Sequence, residues 1–458
     1  MTAARRTLQN FVLMSALFSA NHGCVVACLA LATARLGSTG AWQSGILYLT
    51  YTGSAIFGAT FVVKKLGARD ALITGMSFYC VYVACFWLAV TWHDYERPAA
   101  LTGAAIGGVG AGFLWTAQGA YFARAAEEHA VQSGQAVTDS TAFLAGIFAF
   151  IYLAEEVVLR ALSTILLEVG GIEWSSIFGI YAAVTLVSTA CMRLVHKYTD
   201  DNEAFANVSG GGATATTSAW YKATAAWQLL RRDSKMKYMI GLNAVFGFTA
   251  AFLNSYVNGE VVRVVLHDDE SKYVGLLTAW LSGVAAFMSL VFGRAAQKTG
   301  KGPVLIVGAL CFLGVVVPFL LVPDIERWTW FPLVLVYTMH GTGRATFEGT
   351  LKATFADYFP GEKEGAFANI ILQNGLSSSI GYFLTFSLLC SEPSSYCVEY
   401  NDGKLHDVLT FEILVVVSAV VAIVGFWRAS AIHNAETRAN ETQDDAAELL
   451  ENQDAVSA

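Results

Sequence analysis

Residues Gly45 to Gly75 read GILYLTYTGSAIFGATFVVKKLGARDALITG. A long apolar run ends in VVKKLGARD, and a second apolar run starts at once. About 20 apolar residues suffice to cross the hydrocarbon core of a bilayer as a helix. Lys64, Lys65 and Arg69, set around Gly67, therefore read as the cytosolic turn of a transmembrane hairpin. The pattern returns late in the chain as FGRAAQKTGKGPVLIVG, Phe292 to Gly308. One such turn in each half is the sequence form of a two-halved transporter.

Composition agrees. The chain has 458 residues, 55% hydrophobic and 14% charged, with a mean hydropathy of +0.50. A soluble chain carries roughly 25% charged residues, so this is an all-α polytopic membrane protein with lipid as its surroundings. No basic patch with interleaved aromatics argues for nucleic acid. No P-loop, GxSxG, HExxH or Cys/His cluster is present, so no enzyme, metal or cofactor is expected. The run Gly107–Gly112, GGVGAG, falls inside a membrane helix and reads as packing. Arg5 and Arg6 precede an apolar run from Leu8 to Leu31, long enough for a retained first span.

Twelve spans are predicted: 8–33, 41–63, 70–92, 100–124, 140–167, 173–194, 236–260, 272–293, 302–322, 329–353, 364–390 and 408–428. An N-terminus on the cytosolic side puts 21 of the 28 Lys and Arg on cytosolic segments. Six fall outside (Arg35, Arg97, Arg263, Lys272, Arg327 and Lys404), and Arg160 lies within a span. That asymmetry orients both termini to the cytosol. The expected organisation is a six-helix half (1–197), a cytosolic linker loop (198–235), a second six-helix half (236–428) and a disordered acidic cytosolic tail (429–458). The linker contains the flexible tract Ser209–Ser218. The sequons at Asn207 and Asn440 lie on the cytosolic side and are expected to be unused.

The halves repeat. An offset of 233 residues places Lys65, Gly67 and Gly75 on Lys298, Gly300 and Gly308. With one gap, Thr116, Gln118 and Gly119 meet Thr346, Glu348 and Gly349. Repeats of this kind put a substrate site near the bilayer midplane, between the halves.

With two six-span halves and a basic, glycine-containing turn after spans two and eight, the chain resembles the major facilitator superfamily. VVKKLGARD is a degenerate form of that superfamily's turn, without the acidic residue before the basic cluster. The segments LYLTYTGSAIFGATFVVKKLGARDALITG (Leu47–Gly75) and GVGAGFLWTAQGAYFARAA (Gly108–Ala126) resemble the uncoordinated-93-like family more closely. The resemblance implies a solute-carrier architecture. It also implies an alternative role, since some members are known as regulators of potassium channels or as trafficking partners of receptors.

Ionisable residues in mid-span are costly and call for a reason. Span five centres on Glu155 and Glu156, with Arg160 one turn beyond Glu156. One reading is an internal Glu156–Arg160 pair that makes insertion tolerable. The other leaves a carboxylate, Glu155, free to titrate as a proton or cation site. Span one carries Asn21 and His22, and span seven carries Asn254, Tyr256 and Asn258. Span four offers a stripe of Trp115, Gln118 and Tyr121, which could hold a substrate or glue helices together. Span ten offers a ladder of His340, Arg344, Glu348 and Lys352, spaced by four, for a gate or a binding site. Span eleven adds Gln373 and Asn374.

Two functions compete: a transporter moving a small solute or ion by alternating access, with proton or cation coupling, and a non-transporting regulator gripping a channel or receptor. A transporter needs these polar residues to converge on a central cavity open to one side. A regulator could have a closed apolar centre. Cys390 and Cys397 flank the outer segment CSEPSSYC and are candidates for a disulfide. Asp445 to Leu450 resembles an acidic dileucine sorting signal, which leaves plasma membrane or an endolysosomal or vacuolar membrane as the location.

Overall fold

The computed structural model describes residues 3–198, 219–360, 362–390, 394, 396–399 and 404–457. The Ser209–Ser218 tract, the Asn207 sequon and most of the segment between Cys390 and Cys397 lie outside them.

Twelve helical passages run back and forth, in the order expected. The first two are joined almost without a loop. The helix Ala3–Phe57 bends at Gly37, whose φ of 51° and ψ of -129° break the helical ladder. Its second arm, continued by Ala59–Leu66, is span two. Spans three to six are Ala68–Thr91, Glu96–Ser133, Val137–Glu168 and Trp174–Cys191. Span seven runs from Ser234 through a π-helical stretch, Leu253–Val261, to Leu266. Spans eight and nine are Val274–Thr299 and Lys301–Leu321. Span ten, Trp330–Tyr358, contains a second π stretch, Thr346–Leu351. Span eleven is Lys363–Thr385.

The last helix extends from Leu409 to Ser457, so the tail expected to be disordered is helical. The pair Leu449-Leu450 belongs to this helix, and the side chains there lie outside the described ones. The linker also differs from expectation. Its second part forms the helix Ala219–Arg232, which packs under span eleven, where Asn369 Nδ2 donates to the Ala226 carbonyl at 2.9 Å. Asp233 then caps span seven by accepting from the Lys235 amide.

The two repeat turns share one backbone. Gly67 has φ 80°, ψ 160°, and Gly300 has φ 83°, ψ 167°, a conformation open essentially to glycine alone. Each turn lets a helix end at a basic cluster and the next begin one residue later. Span two and span four approach closely at the glycine run. A Cβ on Gly108 would lie 2.0 Å from Thr50 Oγ1, and one on Gly112 2.1 Å from Ser54 Oγ. This is helix packing through small residues, as the sequence reading had it.

The end holding these turns is the basic end. The first helix starts there, and the last helix leaves its span there. Thr7 Oγ1 donates to Gln132 at 2.8 Å beside the last turn of span four, and Lys235 pairs with Glu436 of the final helix. At the far end a short hairpin, Cys397–Glu399 against Leu405–Asp407, precedes the last span, and a disulfide joins Cys390 to Cys397.

Candidate functional site

A cavity of about 410 Å³ lies between the halves. Its walls come from spans one to five of the first half and seven, eight, ten and eleven of the second. Aromatic rings dominate the first-half side: Tyr48, Tyr51, Tyr79, Trp115 and Tyr152. His22 sits among them, its ring centre 5.2 Å from that of Trp115 and 5.6 Å from that of Tyr152. Phe246, Phe347 and His340 face them from the second half.

The charged floor is built around Glu156, which is 1% exposed. Arg160, one turn on, donates to Glu156 Oε1 at 2.9 Å. Arg344 of span ten grips both carboxylate oxygens, at 2.7 and 3.0 Å. Ser282 of span eight donates at 2.8 Å. Arg344 Nε also reaches Glu348 at 2.8 Å. The expected Glu156–Arg160 pair is therefore part of a larger cluster that locks span five to spans eight and ten. Two guanidiniums on one buried carboxylate satisfy its lone pairs and make its burial tolerable. Glu155 faces elsewhere. It is not part of the cavity wall, and its Oε2 is buried without a partner.

The ladder on span ten stops after Glu348. From Thr346 the helix is π, with i→i+5 bonding, so a residue four further on no longer falls directly above its predecessor. Lys352 is exposed and lines the cavity, and among the described residues it has no carboxylate partner. The other π stretch, in span seven, carries Asn254 into the wall. Single π turns often mark functional sites.

Among the residues singled out in the sequence, the cavity wall gathers His22, Trp115, Arg160, Asn254, His340, Arg344, Glu348, Lys352 and Asn374. Asn21, Gln118, Tyr121, Tyr256 and Gln373 stand outside it, as do Asn258, Glu155 and Glu156. Asn21 points away from the wall and donates to the Thr185 carbonyl at 3.1 Å and Thr189 at 3.0 Å, bracing span one to span six. Gln118 and Tyr121 lie nearer the basic end than Trp115. The Tyr121 hydroxyl donates to the His196 carbonyl, so that stripe is packing beyond its first member. Tyr256 packs at a tilt against Phe252 and Phe319 within the second half. Gln373 accepts from Asn243 at 2.7 Å, tying span seven to span eleven. At the basic turn Lys64 and Lys65 lie at the helix end, and Arg69 pairs with Asp70, which Lys197 also holds at 2.6 Å. The sequence reading missed the four tyrosines. Tyr48 and Tyr51 stand three apart on span two, a spacing that could have flagged one face, but nothing local tells a cavity tyrosine from a packing one.

Above the cavity the halves are stitched together. Asn258 Nδ2 donates to the Ala30 carbonyl at 2.9 Å, and the Tyr337 hydroxyl donates to Asn258 Oδ1. Arg35 reaches the Glu270 carbonyl at 3.2 Å, and the Trp174 indole reaches the same carbonyl at 2.8 Å. Ser379 of span eleven donates to the Gly45 carbonyl of span two at 2.9 Å. Lys272 lies in the loop of this seam. Hydrogen bonding to the Glu270 carboxylate, with Glu168 across the seam adding to it, pushes its ammonium up from the usual value. Toward the basic end the wall ends in the exposed Phe367 and Lys352. The cavity is thus shut at the far end and open at the basic end.

Comparison with known proteins agrees with this architecture. The family model of the Major Facilitator Superfamily matches residues 11–384. Protein unc-93 homolog A of Bos taurus is 24% identical over 408 residues, covering 77% of this chain and 84% of that protein. UNC93-like protein 3 of Arabidopsis thaliana is 24% identical over 349 residues, covering 74% and 72%. Among solved structures, the nucleoside transporter NupG superposes with a TM-score of 0.63 at 12% identity, covering 92% of this chain and 98% of that one. An inward-open conformation of the xylose transporter XylE from E. coli gives 0.60 at 13%, covering 92% and 95%.

Proposed function

The chain belongs to the Major Facilitator Superfamily, as a transporter-like member similar to the unc-93 proteins, and on that premise we propose that it moves a small solute by alternating access through the central cavity. One observation carries this reading. Polar residues of both halves, His22 and Arg160 from one and Asn254, His340, Arg344 and Glu348 from the other, converge on a cavity that is sealed at one end by hydrogen bonds between the halves and open at the other. A cavity of this size suits a small molecule. A regulator with a closed apolar centre would have no use for it.

In this reading the structure is the state open to the cytosol, because the basic end carries most of the Lys and Arg. Both termini are then cytosolic. Glu156 with its two arginines is the joint on which the halves rock, and Glu155 is the group that takes up a proton. The unpartnered Oε2 of Glu155 supports that assignment. The tail segment Asp445 to Leu450 acts as an acidic dileucine signal that sends the protein to endolysosomal membranes.

Purified full-length protein in proteoliposomes, screened for uptake of labelled small solutes with and without an imposed proton gradient, tests the reading. Uptake of at least one solute above protein-free liposomes is expected. Glu155→Gln should abolish gradient-driven uptake while solute exchange persists. A folded protein that moves nothing from a broad panel in either direction would remove the transport reading.

A further inference from the structure

The charge balance of the cavity is uneven. Arg160, Arg344 and Lys352 stand against Glu156 and Glu348. Both carboxylates are already engaged. Glu156 accepts from two guanidiniums and a hydroxyl, and Glu348 accepts from Arg344 Nε. What remains is cationic: the ammonium of Lys352 in the open mouth, and the Arg160 Nε, buried without a partner. The neutral groups of the wall add donors in the tyrosine hydroxyls. Both ring nitrogens of His340, a residue only 4% exposed, have no partner, and neither has Nδ1 of His22. Both imidazoles line the cavity. Buried polar atoms left open in this way await a partner that the protein itself does not supply.

A ring of aromatic faces can also attract a cation. Here the charged groups sum to one net positive charge and both carboxylates are already engaged by arginine, so a cation would meet a positive field with no carboxylate left to itself. Flat apolar walls, surplus donors and one unpaired ammonium together select an anion with a flat apolar body. We propose that the central cavity takes a small organic monoanion of the aromatic carboxylate type, its anionic group on Lys352 and its ring between Tyr48, Tyr79, Trp115 and Tyr152. The proposal deepens the transport reading and rests on it for the passage of the ligand, but not for its binding.

Three probes of one shape and different charge separate the possibilities: benzoate, benzyl alcohol and benzylamine, each labelled and measured by equilibrium dialysis against full-length protein in nanodiscs. Benzoate should bind about tenfold tighter than benzyl alcohol, a difference of about 1.4 kcal/mol, and benzylamine weakest of all. Lys352→Met should bring benzoate to the level of benzyl alcohol, and Lys352→Arg should retain most of the preference. Because Lys352 is exposed, these variants are not expected to unfold, and circular dichroism checks that they have not. Benzylamine binding as tightly as benzoate, or benzoate binding untouched by Lys352→Met, overturns the proposal. Benzoate bound with this charge preference but not carried into proteoliposomes upholds the proposal and removes the transport reading instead.

Discussion

The two ends of the molecule solve the same problem in opposite ways. At the far end the halves hold each other. Asn258, Arg35, Trp174 and Ser379 each donate across the seam to a carbonyl of the other half. At the basic end each half keeps its ions to itself. Asp70 binds Arg69 and Lys197 within the first half, and Asp357 binds Lys301 within the second. Beside one long ion pair, Lys272 to Glu168 at 3.6 Å, the seam consists of side chain to backbone hydrogen bonds, each worth about 1 kcal/mol net. A handful of such bonds can be exchanged for bonds at the other end at small cost. The basic end carries lysines and arginines on both halves, which repel when brought together and need counter-charges inside each half before they can close. The difference teaches that the closed end is held by contacts that break easily and the open end is kept apart by charge.

The largest effect should come from the joint that both ends share. Glu156→Gln leaves two buried guanidiniums facing a neutral amide, and breaking such a buried cluster costs about 3–5 kcal/mol. Thermal unfolding in detergent should show a marked loss. Adding Arg160→Met, which removes one stranded charge, should recover part of it. If Glu156→Gln unfolds at the wild-type temperature, the cluster is not what joins the halves.

A smaller effect should follow from opening the seam. Asn258→Ala removes the bond to the Ala30 carbonyl, about 1 kcal/mol, and should raise the population open at the far end roughly fivefold. Labelling of a cysteine placed at Thr33, which packs against Gly259 in the seam, should speed up accordingly. Tyr337→Phe removes a bond that stays within the second half and should leave that labelling rate nearly unchanged. Equal rates in both variants would mean that the seam does not hold the far end shut.

The smallest effect belongs to the basic end. Asp70→Asn loosens Arg69 and Lys197, a half-exposed network worth less than about 1 kcal/mol. Unfolding temperature should fall by little, and the Thr33 cysteine should label as in the wild type, because the network does not cross between halves. A clear change in labelling would show the two ends to be coupled through these ions.

Much of the fold was legible because it is written in long apolar runs and in a repeat. The 233-residue offset that set Gly67 on Gly300 predicted one shared turn, and the two residues have nearly the same φ and ψ. The helical tail and the linker helix were not legible: the tail is polar beyond its span, and the linker helix, amphipathic and 14 residues long, is too short for a membrane-spanning run. The site was legible in part. Arg344, Glu348 and His340 stood out because charge inside a membrane is expensive. The bond from Glu156 to Arg344 crosses 188 residues of sequence, and no local spacing encodes it. The π stretches were equally silent. The residues of Thr346–Leu351 do not differ in type from those of an α-helix, so nothing in them announces the register shift ahead of Lys352. Asn21 and Gln373 misled for a related reason: an amide in a span can serve a cavity or brace a neighbouring helix, and only the partners, Thr185 and Thr189 for one and Asn243 for the other, decide.

The most direct test measures both ends in one molecule. Spin labels at the repeat-related Lys65 and Lys298 report the width of the basic end, and labels at Arg97 and Arg327 report that of the far end. Distances from double electron–electron resonance in nanodiscs, compared between wild type and Asn258→Ala, should change in opposite senses: the basic pair shortens as the far pair lengthens. Distances that stay fixed, or that lengthen together, would contradict a protein whose two halves rock about a central cavity.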